Sequence, residues 1–217
     1  MHTATRPIKI PPIGLDGDLV VPPGAKAVVV FAHGSGSSRF SSRNRRVAGA
    51  LHQKRLATLL MDLLTADEET LDLRTAHLRF DIALLAERLI QATEWLRNDS
   101  ETGALRVGYF GASTGAGAAL VAAAEVPNVT AVVSRGGRPD LAGKALRSVK
   151  APTLLIVGSR DEHVLELNQA ALAQLQCEKK LEIIPGATHL FEEAGALDEV
   201  ARLASAWFED HLLGSPD

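Results

Sequence analysis

The residues Gly111-Ala112-Ser113-Thr114-Gly115 set a serine between two glycines, directly after the apolar run "LRVGYF" and directly before the helix-like run "GAGAALVAAAE". G-x-S-x-G between a strand and a helix marks a serine carried on a sharp, strained turn. Glycines flank it because larger side chains would collide with the adjoining strand and helix. The hydroxyl then stands clear of the sheet, at the positive end of a helix dipole. Nucleophilic attack on an acyl carbon is the chemistry this suits. Glycine and alanine at this density could instead serve only to bring a helix close to a strand, so the partners of such a nucleophile decide the matter.

A serine hydroxyl is a poor nucleophile without a base to take its proton. Of seven histidines, His52, His77 and His211 fall in or at the start of helix-like runs, His2 lies at the terminus, and His163 adjoins a better acid candidate. His189, in "IIPGATHLF", follows the last strand-like run in a loop of turn formers and is free to reach across the sheet edge. The third group must orient the imidazole and stabilise its protonated form. Asp161 ends the run "TLLIVGSRD" and is the expected acid; Asp140, in "SRGGRPDL", is the alternative. The chain order Ser113, Asp161, His189 is the order such triads take on a doubly covered sheet.

A developing oxyanion needs N–H groups fixed in advance. The Thr114 amide supplies one, and the loop "VVVFAHGSGSS" supplies the other from Ser35, with Gly36 as the alternative. His33 is expected to brace that loop rather than act as a base. Arg135 and Arg138 stand near the expected site mouth, where an arginine could meet a substrate carboxylate bidentately. Pairing with Asp140 or with solvent is the plainer expectation for both.

These residues need a frame. Continuous apolar runs at 26–32, 55–63, 105–111, 129–135, 152–159 and 180–185 read as strands covered on both faces. A proline-bounded edge ribbon precedes them over 7–22. Helices are expected over 41–54, 77–97, 115–125, 164–176 and 196–212. The β–α alternation predicts a mostly parallel sheet with helices on both faces and function at the carboxyl ends of the strands. Asp62 and "ADEET" (66–70) read as a solvated loop near a helix N-terminus, not as a metal site.

At 217 residues with 46% hydrophobic residues and a formal net charge of −3, residues 1–217 are expected to form one soluble domain. The basic cluster "RFSSRNRR" (39–46) reads as a solvated helix face, and no nucleic-acid partner is expected. A single cysteine, Cys177, fits a reducing compartment. The first residues hold no apolar h-region and no run reaches membrane-spanning length, so a cytoplasmic protein, monomer or homodimer, is expected.

Taken together, "HGSGSS", "GASTG", "GSRDEHV" and "GATHLFEE" resemble the α/β-hydrolase superfamily and, within it, the small dienelactone-hydrolase-like proteins, from about Lys26 to Leu212. The resemblance implies an α/β-hydrolase fold of about eight strands, the second antiparallel, and cofactor-free hydrolysis of an ester or related acyl bond. Two positions depart from dienelactone hydrolases proper. Ser113 stands where they carry cysteine, and His33 where they carry an acid. A carboxylesterase for short to medium acyl chains is therefore expected, with lactone, thioester or amide substrates as alternatives. The interval from Gly136 to Ala151 has room only for a short helix, so no sizeable lid is expected and polymeric esters could reach the site. A non-catalytic binding protein is the rival from another class. A nucleotide cradle is disfavoured because "GASTGAG" lacks the P-loop lysine.

Overall fold

The computed structural model describes residues 4–214, so His2 lies outside it. Strand β1 (Thr5–Ile10) and β2 (Leu15–Val20) form the edge ribbon. The core strands are β3 (Ala27–Ala32), β4 (Ala57–Met61), β5 (Arg106–Ala112), β6 (Val129–Arg135), β7 (Thr153–Gly158) and β8 (Lys179–Ile184). They join in one eight-stranded sheet of order β1-β2-β4-β3-β5-β6-β7-β8. Strand β2 runs antiparallel to both of its neighbours, β1 and β4; from β4 to β8 every pairing is parallel. This is the α/β-hydrolase arrangement that the family resemblance implied.

Among the described residues, the six α-helices are α1 (Ser42–Gln53), α2 (Ala66–Thr75), α3 (Ile82–Asn98), α4 (Thr114–Glu125), α5 (Glu162–Gln174) and α6 (Ala196–Phe208). Because successive strand residues point to opposite faces, β3 feeds two cores. Val28 and Val30 join Leu85, Leu89 and Leu96 of α3 and the alanines of α4. Val29 and Phe31 join Val47 and Leu51 of α1 and Val200 and Phe208 of α6. All six residues of β3 are buried, which explains a continuous apolar run where a half-covered strand would alternate.

Two expected boundaries are revised. Residues 66–70 are not a loop but the first turn of α2. Thr65 accepts the Glu68 N–H while Glu68 accepts the Thr65 N–H, a full capping box. Asp62 is likewise not simply solvated, since it binds the Arg39 amide at 2.7 Å and the Arg39 guanidinium. The helix expected from 77 begins later. A single 3-10 turn covers Leu78–Phe80, and the Asp81 side chain accepts the Leu84 N–H at 3.0 Å, capping α3 there. Between β6 and β7 only short 3-10 turns (Pro139–Ser148) intervene, so no large lid covers the strand ends. Among the described residues, no helix is long and apolar enough to cross a membrane.

Candidate active site

Ser113 occupies the turn between β5 and α4 with φ 49° and ψ −122°. A non-glycine residue in this region costs on the order of 1–3 kcal/mol and persists only where its surroundings hold it. They do so here through both backbone groups. Its N–H donates to the Arg135 carbonyl at 3.3 Å, and its carbonyl accepts from Ala116 and Arg138 at 3.1 and 3.0 Å. The flanking glycines are steric requirements. A Cβ on Gly111 would stand 2.8 Å from Ala116 N, and one on Gly115 would stand 2.5 Å from the His33 carbonyl oxygen. These glycines are packed against backbone on the side a Cβ would occupy.

His189 lies in the loop after β8, with Nδ1 2.6 Å from Asp161 Oδ2. Asp161 holds the N-cap position of α5 yet makes no capping bond, so its carboxylate turns to the imidazole instead. Backbone bonds fix the two loops to one another: Arg160 N–H to the Ala187 carbonyl at 2.9 Å and Ser159 N–H to the Ile184 carbonyl at 3.0 Å. The His189 loop has its own latch. Thr188 donates its amide and its hydroxyl to Glu193 Oε1 at 3.1 and 2.7 Å, while Phe191 is buried beneath. The Thr188 hydroxyl and the adjoining amides hold the Glu193 carboxyl below its ordinary range. The roles of Thr188, Phe191 and Glu193 are not read from the sequence, although "GATHLFEE" contains all three. Asp140, the alternative acid, is bound instead by the Arg138 guanidinium at 2.8 and 2.7 Å.

His33 braces the loop after β3. Its Nδ1 stands 2.9 Å from the Gly34 carbonyl, and its Nε2 accepts the Leu63 N–H at 3.1 Å. That pattern places the proton on Nδ1 of a neutral ring. Burial also pushes its pKa down, against the Gly34 bond. Thr114 opens α4, so its N–H has no intrahelical acceptor. The Ser35 amide is differently placed from the expectation of a free donor. It donates to Thr114 Oγ1 at 2.9 Å, so it reaches an oxyanion only by releasing or sharing that hydroxyl. Gly36, the alternative donor, takes φ 68°, a conformation that favours glycine.

Two cavities flank this loop. One, of about 280 Å³, is bordered by Ser113, His189, Arg135, Arg43 and Asn44. The other, of about 90 Å³, lies behind Ser35 and Thr114 and is bordered by Leu63, Leu64, Leu73 and Leu85. Of the two arginines expected near the mouth, Arg138 is paired and Arg135 is not. Arg135 is 6% exposed, and burial, with Arg43 a lesser cause, pushes its guanidinium down to about 10. Among the described residues, no group of His, Cys, Asp and Glu could hold a metal ion.

A sheet in this order with a serine elbow at the end of its central strand defines an α/β-hydrolase fold. The chain belongs to the dienelactone hydrolase family, whose profile matches residues 15–211. It is similar to a dienelactone hydrolase of known structure from Anabaena variabilis, 62% identical, with a TM-score of 0.94 over 97% of this chain and 98% of that one. Est1E from Butyrivibrio proteoclasticus, at 16% identity, shares the fold with a TM-score of 0.78 over 96% and 98% of the two chains. The esterase domain of a Rhodothermus marinus protein, at 20% identity, does so at 0.71 over 98% and 100%. Curated relatives from two strains of Mycobacterium tuberculosis, each named "Putative phosphoribosyl transferase", are 61% identical over 204 residues, 94% of this chain. The match covers 45% of their length, so the chain spans less than half of those proteins.

Proposed function

We propose that this chain is a serine hydrolase of carboxylic esters that works through Ser113, His189 and Asp161. The observation that carries the reading is the 2.6 Å bond from His189 to Asp161, made by a loop that shares a cavity with the strained Ser113. His189 Nε2 takes the Ser113 proton as Oγ attacks the ester carbonyl, and Asp161 stabilises the imidazolium that results. The Thr114 amide holds the oxyanion together with an amide of the loop after β3, that of Gly36 or of Ser35 once released from Thr114 Oγ1. His189 returns the proton to the leaving alcohol, leaving an acyl-Ser113 ester. Water deprotonated by His189 then attacks that ester and restores the serine. No step needs a cofactor.

The small cavity beside Thr114, bordered by Leu63, Leu64, Leu73 and Leu85, supports an acyl pocket for short chains. Hydrolysis of p-nitrophenyl acetate, butyrate and octanoate by the wild type and by Ser113→Ala tests the proposal. Activity that disappears with Ser113 and declines beyond butyrate is expected. Activity that survives the substitution would remove Ser113 from the mechanism.

A further inference from the structure

Among the described residues, Arg135 is a cation without a counter-charge: no carboxylate pairs with it, and its Nε has no hydrogen-bond partner. Its side chain instead lies over the Phe191 ring, 5.9 Å from the centroid. The charge that acts on it is another cation, Arg43, from the first turn of α1. Leaving a buried guanidinium unpaired is costly unless something completes it.

Three residues with orphaned polar atoms meet at one space. Among the described residues, Arg43 Nε, Asn44 Oδ1 and Arg135 Nε lack partners, Asn44 is 2% exposed, and all three residues border the cavity that Ser113 and His189 border. Among the described residues, no acidic one borders it; Glu192, 69% exposed, reaches Arg43 at 3.7 Å from the solvent side. Ser41, the N-cap of α1, adds the positive end of a twelve-residue helix. Arg135 is also fixed next to the nucleophile, because it pairs in register with Ala112 on the adjacent strand.

We propose that Arg135 and Arg43, with Asn44 and the first turn of α1, bind a dianionic phosphate group of the substrate beside the Ser113 elbow. Two guanidiniums, a helix N-terminus and a wall without carboxylates match two negative charges better than one. The substrate is thus an ester bearing a phosphate monoester close to the bond that is cut. That naming of the substrate rests on the esterase reading, whereas the anion site does not.

The test separates the two. Calorimetric titration of Ser113→Ala with inorganic phosphate, at fixed ionic strength and against succinate, reads the site without turnover. Phosphate should bind, succinate should bind more weakly, and adding Arg135→Gln should weaken phosphate roughly 10- to 100-fold, the range for a lost charge-assisted hydrogen bond. Arg43→Gln, on a partly exposed side chain, should weaken it several-fold and guards against misfolding of the buried variant. Equal phosphate affinity in the parent and both arginine variants would overturn the site. Succinate binding more tightly than phosphate would overturn the phosphate assignment. If Ser113 proves inactive toward esters while phosphate binding still depends on Arg135, the esterase reading fails and the anion site stands.

Discussion

At the residue scale the chemistry turns on which acid faces which base. Asp161 accepts from His189, and Asp140 is consumed by Arg138 two residues away. Asp161→Asn should therefore lower kcat by on the order of 10³–10⁴, through a mis-set imidazole. Asp140→Asn should change kcat less than tenfold. Comparable losses from both, measured with p-nitrophenyl acetate, would break the assignment. The same arithmetic of partners explains what the sequence leaves illegible. The grouping of Ser113, His189 and Asp161 is anticipated by motif and order, because each follows a strand in the order the proposed reaction needs. Arg135 and Arg138 look alike in "SRGGRPD", and only the fold shows that Asp140 neutralises one of them. His33 carries a pH prediction. Its half-buried, neutral ring has a folded pKa below the ordinary 6.5, so the unfolded chain takes up the proton first as pH falls. Stability is then undiminished above about 6.5 and declines below it, until the folded pKa is reached. His52, also lowered by burial, adds to the same slope. Tm measured from pH 8 to 5 should fall, and His33→Asn should flatten part of that fall. An unchanged slope in the variant would leave His52 as its cause.

At the scale of elements, the legible parts are those that bury apolar residues in a regular pattern. The central strands declare themselves because both faces are covered, and α3 because Leu85, Leu89 and Leu96 line one side. Helix α2 is illegible to that test, since Asp72 is its only buried residue and no apolar stripe develops. Its signal was the Thr65-x-x-Glu68 box, a short polar pattern at its start. Thr65→Ala should cost about 0.5–2 kcal/mol by urea unfolding. Because Glu69, Asp72 and Leu73 of α2 border the small apolar cavity, the same variant should raise KM for a butyrate ester more than it lowers kcat. An unchanged urea midpoint would show that the box contributes nothing. The elbow makes the opposite case. Gly115 is a backbone requirement, for a Cβ there would meet the carbonyls of Ala32 and His33 rather than a yielding side chain. Gly115→Ala should separate α4 from β3, and soluble protein with wild-type activity would contradict the close approach.

At the scale of the molecule, the sheet ties two apolar cores into one body. Three of the four arginines in the basic cluster of 39–46 pair within the molecule: Arg45 reaches Asp18 of β2, Arg46 reaches Asp198 of α6, and Arg39 reaches Asp62. The cores themselves share β3 and β5, whose alternate side chains point into each. Losing either core would strip one face from the same strands, so residues 4–214 should unfold as one cooperative unit. Two tryptophans report on the two sides. Trp95 packs with α3 against one core, and Trp207 packs with α6 against the other, its indole N–H 3.3 Å from the Pro152 carbonyl. Trp95→Phe and Trp207→Phe each leave a single emitter on one face. Urea unfolding followed by fluorescence of each variant and by far-ultraviolet circular dichroism should give coincident, single transitions. Separated midpoints between fluorescence and dichroism within one variant would mean that one helical layer peels from the sheet before the other. The shared strands would then fail to couple the faces, and the chain would behave as two folding units instead of one.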